Sequence, residues 1–290
     1  VSSDALTVSI IIVTHNSRAT ILDCLSVIPA ACGETSREII VIDNRSTDGT
    51  PDLIREKAAE VRIIQQTRNI GFGRACNAGA LAAVGEYLLF LNPDAMLDSG
   101  AVPRLLNAQI GQSRTAFAVP RLRFPDGRFH PSCRHLPTIG NMVFSRGSSV
   151  MKIVSQISGN TSTRYTLPDY GDTTPVPAVA GTVAMIPRAL FMQVGGFDPR
   201  FFLYMEDTDL CARLGQNGYQ HLFVPRAGAV HRWGRGSAAG KLIRIARHHM
   251  SVWKYFLKHY PNGFSVILLP LILLVNGLVA AMLADRREEM

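Results

Sequence analysis

Four carboxylates, Asp198, Glu206, Asp207 and Asp209, fall within twelve residues and are set among Phe197, Phe201, Phe202 and Tyr204. Carboxylates among aromatic side chains suit a general base in a pocket that admits little water. Glu206, Asp207 and Asp209 also suit the first turn of a helix, where negative charge complements the dipole. Both readings stay open on the residues alone. Three further polar clusters follow apolar runs: Thr14-His15-Asn16, the stretch DNRSTDG at 43–49, and Asn92-Pro93-Asp94. A carboxylate at Asp43 could accept the N3–H of a uracil or thymine ring. Asp94 suits a divalent ion bridging a diphosphate, because Mg2+ is held by one or two carboxylates plus phosphate oxygens. His231 stands before Arg232-Trp233-Gly234 and, taken alone, reads as a structural histidine.

The elements that must position these groups follow from periodicity. Continuous apolar runs predict strands at 8–14, 38–43, 61–65 and 87–91. Helical spacing predicts helices at 19–28, 51–59 and 73–83, the second with Pro51 in its first turn. Strands alternating with helices of about ten residues mean βαβ units and a parallel sheet. In such sheets ligands bind beyond the carboxyl ends of the strands, where the three polar clusters fall. The first strand-to-helix turn lacks G-x-G-x-x-G, which disfavours a dinucleotide fold, and the absence of G-x-x-x-x-G-K-[ST] excludes a P-loop. Residues 120–175 lose periodicity and predict a hairpin followed by a long variable loop or lid. A single strand is predicted over 176–187 and a helix over 206–214. A helix over 237–260 has Leu242, Ile245, Ala246, Met250, Trp253, Phe256, Leu257 and Tyr260 on one face. Lys241, Arg244, Arg247, His248, Lys254 and Lys258 crowd the other.

The order of these pieces resembles the family-2 glycosyltransferases of the GT-A fold, in particular their rhamnosyltransferase-like members. VSIIIVTHN at 8–16 is similar to the family's first strand, and VIDNRSTDGT at 41–50 to its nucleoside-binding turn. NIGFGRACNAG at 69–79 resembles a donor-side signature, and LFLNPD at 89–94 stands in place of the D-x-D metal motif. The segment from Gly195 to Leu210 resembles the acceptor and base element. The resemblance covers roughly residues 7–260. It implies an α/β GT-A domain and an inverting, metal-dependent transfer with Mg2+ or Mn2+. It implies that Asp207 is the catalytic base. Thr14, Asn16, Asp43, Asn44, Asp48, Asn77 and Asn92 would face the donor nucleotide, Glu206 and Trp233 the acceptor. Asp94 would ligate the metal, and His231, 24 residues after Asp207, falls where some relatives place a second ligand. Asn92 replaces the first D-x-D carboxylate, so the ion would arrive largely with the nucleotide. A dTDP- or UDP-sugar donor is implied, with dTDP-rhamnose the first choice. The Gln of the processive Q-x-x-R-W motif is missing before Arg232-Trp233, which favours transfer of one or very few sugars.

The placement of charge bears on partners. The chain of 290 residues has a net charge of +8, yet residues 1–209 carry 19 basic and 19 acidic side chains. Residues 210–284 carry nine Lys/Arg, five of the eight His and no acid. Hydrophobic residues make up 47%, which excludes a disordered or collagen-like chain. A nucleotidyltransferase is disfavoured, because residues 14–19 are not a Gly-rich basic loop. Nucleic acid binding would leave the carboxylate clusters without a use. The five scattered Cys argue against a disulfide framework or a Cys-ligated zinc and for a reducing, cytosolic compartment. Residues 263–284 are uncharged and apolar, long enough to cross a bilayer, lie in it or form an oligomer interface. A basic amphipathic helix beside such a segment is a membrane-surface pattern. The expected organisation is a catalytic domain over 1–236 and a membrane-associating module over 237–290. The expected location is the cytoplasmic face of the inner membrane, where an acceptor saccharide on a polyprenyl diphosphate is within reach. A homo-oligomer is compatible with this arrangement.

Overall fold

A computed structural model describes residues 8–138, 166–232 and 241–263 together with most of 266–275. Strand β1 (Val8–Thr14) lies between β2 (Arg37–Asp43) and β4 (Tyr87–Leu91), both parallel to it, and β3 (Arg62–Gln65) extends the parallel run beyond β2. Both faces of these strands are buried. Ile10 and Ile12 enter one apolar layer, and Ile11 and Val13 enter the other. Helices α1 (Ile21–Cys32), α2 (Thr50–Lys57) and α4 (Ala101–Gln109) cover the first layer. Helix α3 (Phe72–Ala82) covers the second, so the parallel run sits inside a three-layer α/β sandwich. The strands at 8–14 and 87–91 occupy the bounds the apolar runs predict, and the first three helices begin within two residues of expectation.

Beyond β4 the sheet is mixed. Its order is β3-β2-β1-β4-β10-β6-β11-β5, with β8 also on β11. Strand β10 (Val183–Pro187) runs antiparallel to both β4 and β6 (Thr115–Arg123). Strand β11 (Gln220–His231) is parallel to β6 and antiparallel to β5 (Ala95–Leu97). The apolar run at 176–187 is not one strand. It divides into β8 (Thr174–Val176) on β11, β9 (Ala178–Val179) on β7 (Cys133–Arg134), and β10. Breaks fall at Pro177 and over 180–182, and the three short strands pair with β11, with β7, and with β4 and β6, which a continuous apolar pattern cannot reveal. A short helix α5 (Arg188–Gln193) follows, then α6 (Glu206–Gln216), which packs Leu210, Cys211 and Leu214 into the second layer. All five cysteines are free and buried.

Helix α7 (Lys241–His259) packs against the catalytic body through Val252, Tyr255 and Phe256, which meet Phe201, Met205 and Ala212. Its orientation differs from the face assignment that periodicity alone suggests. Met250, Leu257 and Tyr260, expected inward, are exposed, whereas the Lys258 side chain is only 19% exposed. The cause is electrostatic. Lys258 Nζ bonds Asp198 Oδ2 at 2.7 Å and Asp209 Oδ1 at 2.6 Å, and His259 Nε2 donates to Asp209 Oδ1 at 2.8 Å. The block at 241–258 is therefore not one continuous lipid-facing surface. Among the described residues no helix is long and apolar enough to cross a membrane. The greater part of 263–284, and the start of the expected helix at 237–240, lie outside the described residues.

Candidate active site

The turns after β1 and β2 close on each other. Thr14 Oγ1 donates to Asp43 Oδ1 at 2.9 Å, and the Ser46 amide donates to Asp43 Oδ2 at 3.0 Å. The Ser46 hydroxyl also donates to Oδ1. A carboxylate has about four acceptor positions, so one remains on Oδ2 of this fully buried group. Asn16 Oδ1 accepts from the Thr47 amide at 2.7 Å, and Asp48 accepts from the Arg18 and Thr50 amides at 2.9 and 3.0 Å. Those bonds hold the Asp48 carboxyl below the usual carboxylate range, against the opposing effect of burial. Asn44 reaches the next segment. Its Nδ2 donates to the Gly71 carbonyl at 3.2 Å, and its Oδ1 accepts from the Ile70 amide at 3.1 Å. Asn16 and Arg45 hold positive φ of 57° and 61°, rare for side-chain-bearing residues and frequent at functional turns.

Gly71 (φ 88°) locks the start of α3 to the carboxylate segment. The Phe72 amide donates to the Phe202 carbonyl at 2.9 Å, and a Cβ at Gly71 would strike that same oxygen. Asn77 is committed to the same junction rather than to open space. Its Nδ2 donates to the Phe197 carbonyl at 2.8 Å and its Oδ1 accepts from the Phe197 amide at 2.9 Å.

Asp207 stands in the first turn of α6, after Tyr204 and Met205 at φ 67° and 69°. Its Oδ1 accepts from the Thr208 amide at 2.6 Å and lies 2.7 Å from Arg134 Nη2. Its Oδ2 accepts from the Gly181 amide at 3.0 Å and has no other partner among the described residues. A Cβ at Gly181 would meet both the Phe72 ring and the Asp207 side chain at 3.6 Å, so these two groups flank the glycine. Glu206 beside it points the other way, packed against Gly73 of α3 and only 5% exposed. Burial, with repulsion from Asp207, pushes its carboxyl up to about 8. The two neighbouring acids thus differ in surroundings: Glu206 is internal, and Asp207 meets Arg134 and the Gly181 amide.

Pairing of β5 with β11 sets His231 opposite Ala95, which brings His231 Nε2 to 3.2 Å from Asp94 Oδ1. Both side chains are buried. The turn at Gly181-Thr182 joins this pair to the base. The Gly181 amide bonds Asp207, while the Thr182 carbonyl accepts from the Asn92 amide at 2.9 Å. Sequence reading missed the pairing of Arg134 with Asp207 and the placement of Gly181 and Phe72 beside it. Arg134 carries no signal in an aperiodic stretch, and Gly181 lies hidden inside what looks like one strand. Of the arginines at 121–134, Arg121 pairs with Asp169 and Arg123 with Asp98. Trp233 lies outside the described residues.

The sequence pattern of glycosyl transferase family 2 matches residues 9–195. The chain belongs to this family. It is a glycosyltransferase, and a second pattern, glycosyl transferase family group 2, matches residues 169–284. The N-acetylglucosaminyl-diphospho-decaprenol L-rhamnosyltransferase of Mycobacterium tuberculosis is 31% identical over 239 residues, 78% of this chain and 76% of that protein. Rhamnosyltransferase WbbL of Escherichia coli strain K12 is 29% identical over 148 residues, 50% of this chain and 52% of that protein. Among solved structures, mannosyltransferase PcManGT from Pyrobaculum calidifontis, in complex with GDP-Man and Mn2+, gives a TM-score of 0.59 at 18% identity. That match covers 98% of this chain and 76% of the other. GalNAc-T7 with UDP, GalNAc and Mn2+ gives 0.60 at 19% identity, over 91% of this chain and half of that one. These two likenesses bear on the fold, which is GT-A-like α/β.

The glycosyltransferase has two donor atoms fit for a divalent ion. Adjacent ligands of an octahedral ion at about 2.1 Å stand roughly 3 Å apart, and Asp94 Oδ1 and His231 Nε2 are 3.2 Å apart. No group of three acidic, His or Cys side chains suited to a metal occurs among the described residues. An ion held by this pair needs further oxygens, which a nucleotide diphosphate has.

Proposed function

We propose that this glycosyltransferase transfers a deoxyhexose, rhamnose from dTDP-rhamnose, with inversion, to a hydroxyl of a saccharide carried on a membrane lipid. The observation that carries the reading is the placement of Asp207. Its Oδ2 retains an unused acceptor position beside Phe72 and Gly181, at the carboxyl end of the sheet, while Arg134 and the α6 backbone fix its orientation. Asp207 Oδ2 takes the proton of the acceptor hydroxyl as that oxygen attacks the anomeric carbon opposite the leaving diphosphate. The β1 and β2 turns cradle the nucleoside, with Thr14 and Ser46 bracing Asp43 so that its remaining acceptor position meets the pyrimidine N3–H, and with Asn44 tying the β2 turn to Ile70 and Gly71. Asn16 and Asp48 fix the rim of that cradle, and Asn77 acts from behind by holding the 196–197 turn against α3. Asp94 and His231 would hold Mg2+ or Mn2+, which supplies charge stabilisation at the departing phosphate. Asn92 keeps that turn registered on Thr182. The rhamnosyl and lipid-linked assignments are supported by the mycobacterial and E. coli relatives. A membrane-face location follows from such an acceptor and from the cationic 210–284 block.

Incubation with dTDP-rhamnose, UDP-sugars and a lipid-linked acceptor, with nucleotide release and anomeric configuration as readouts, tests the reading. Release only from dTDP-rhamnose, with an inverted product, is expected. Preference for a UDP-sugar overturns the donor. Asp94→Ala is expected to abolish the dependence of donor affinity on Mg2+ or Mn2+ in calorimetry. An unchanged dependence would remove Asp94 from the metal role.

A further inference from the structure

A cavity of about 370 Å³ opens between the start of α3, the 198–201 turn and the last turns of α7. That volume lies within the roughly 300–1,000 Å³ usual for small-ligand sites. Four cationic side chains line it, Arg74, Arg200, Lys254 and Lys258, with Phe201 and Leu257 as apolar walls. The charges are unevenly satisfied. Arg200 and Lys258 are paired with Asp198, and Lys258 also with Asp209. Arg74 Nε donates to the Pro199 carbonyl at 2.9 Å and Lys254 Nζ to the Arg200 carbonyl at 2.9 Å. Neither meets a carboxylate among the described residues. Among the described residues the cavity therefore holds two positive charges with no carboxylate partner.

We propose that this cavity binds the diphosphate group of an isoprenoid lipid. A diphosphate diester carries two negative charges, which matches the two uncompensated cations, whereas the phosphodiester of a bilayer lipid carries one. The walls argue for a lipid rather than a free anion. Leu257 borders the cavity, and exposed Met250, Tyr260, Ile267 and Leu271 stand on the same C-terminal segment. A charged head enclosed by guanidinium and ammonium groups, with its chain passing over exposed apolar residues, satisfies both features. The inference rests on the lipid-linked acceptor proposed above.

Binding of the full chain to three vesicle preparations tests it. These are phosphatidylcholine alone, phosphatidylcholine with 2 mol% undecaprenyl diphosphate, and phosphatidylcholine with 20 mol% phosphatidylglycerol. The expected result is tighter binding to the diphosphate vesicles, relieved by millimolar inorganic pyrophosphate. Arg74→Gln with Lys254→Gln is expected to lower that affinity roughly tenfold to thirtyfold, the scale of two Lys/Arg contacts to an anionic lipid. The charge-preserving pair Arg74→Lys and Lys254→Arg is expected to retain it, which separates charge from folding. Equal binding by the double Gln variant would overturn the proposal. So would an equal dependence on Arg74 and Lys254 with phosphatidylglycerol, which would make the cavity a general phospholipid site. Nucleotide release by the unaltered protein from dTDP-rhamnose, measured without vesicles, tests the parent reading separately.

Discussion

The turns after β1 and β2 and the Asp207 carboxylate, proposed as the base, both lie at the carboxyl edge of the sheet, yet they are assembled in different ways. Asp43 is held by Thr14 and Ser46, and Asn16 and Asp48 by amides of the same two turns. Nearly every polar atom there is used by a neighbour in one βα turn or the next. Asp207 is held by Arg134 and Gly181, from elements distant in sequence, as well as by its neighbour Thr208. A cradle made of adjacent turns is rigid because its bonds are internal to it. The Asp207 carboxylate instead takes its orientation largely from elements distant in sequence.

Substitution breaks the two regions differently. Asp207→Asn removes the proton acceptor while preserving shape, so kcat should fall about 10²–10⁴-fold. Its thermal midpoint should fall modestly, because the amide nitrogen must face either the Gly181 amide or the Arg134 and Thr208 donors. Turnover near the original rate would remove Asp207 from the base role. Asp43→Ala should do the reverse. It strands buried donors at Thr14 and Ser46, each costing roughly 1–3 kcal/mol when left unpaired. Urea unfolding should therefore show a loss of about 2–4 kcal/mol, with donor KM rising along with it. If Asp43→Ala lowered kcat and left stability intact, the contrast between brace and base would be lost.

How legible each region was follows the same division. The βαβ alternation and the turns after β1, β2 and β4 could be read because period-2 burial on both sheet faces leaves continuous apolar runs ending in polar residues. The pairing of His231 with Asp94 needed β11, whose run is interrupted by Pro225 and carries a register shift between Val224 and Gly228. Arg134 and Gly181 were illegible because a salt bridge and a backbone amide leave no periodic trace. The orientation of α7 was misjudged for a related reason. Its helical wheel shows which residues share a face, but Asp198 and Asp209, from other elements, draw Lys258 and His259 inward.

The smallest effect separates the two adjacent acids. Glu206 titrates near 8 in the folded protein because of burial and the nearby Asp207 charge, against an ordinary value of 4.5. Between these values the folded state binds more protons than the unfolded one, so this group makes stability fall as pH rises from about 4.5 to 8. Glu206→Gln mimics the neutral form and should remove that slope. The variant should match the unaltered protein at pH 5 and exceed it in stability at pH 8, read from urea midpoints. A difference that stays constant with pH would mean that Glu206 is ionised in place. Acceptor KM in the same variant decides its surroundings. A value unchanged from the parent keeps Glu206 as an internal support against α3, and a raised one places its carboxyl on the acceptor beside Asp207.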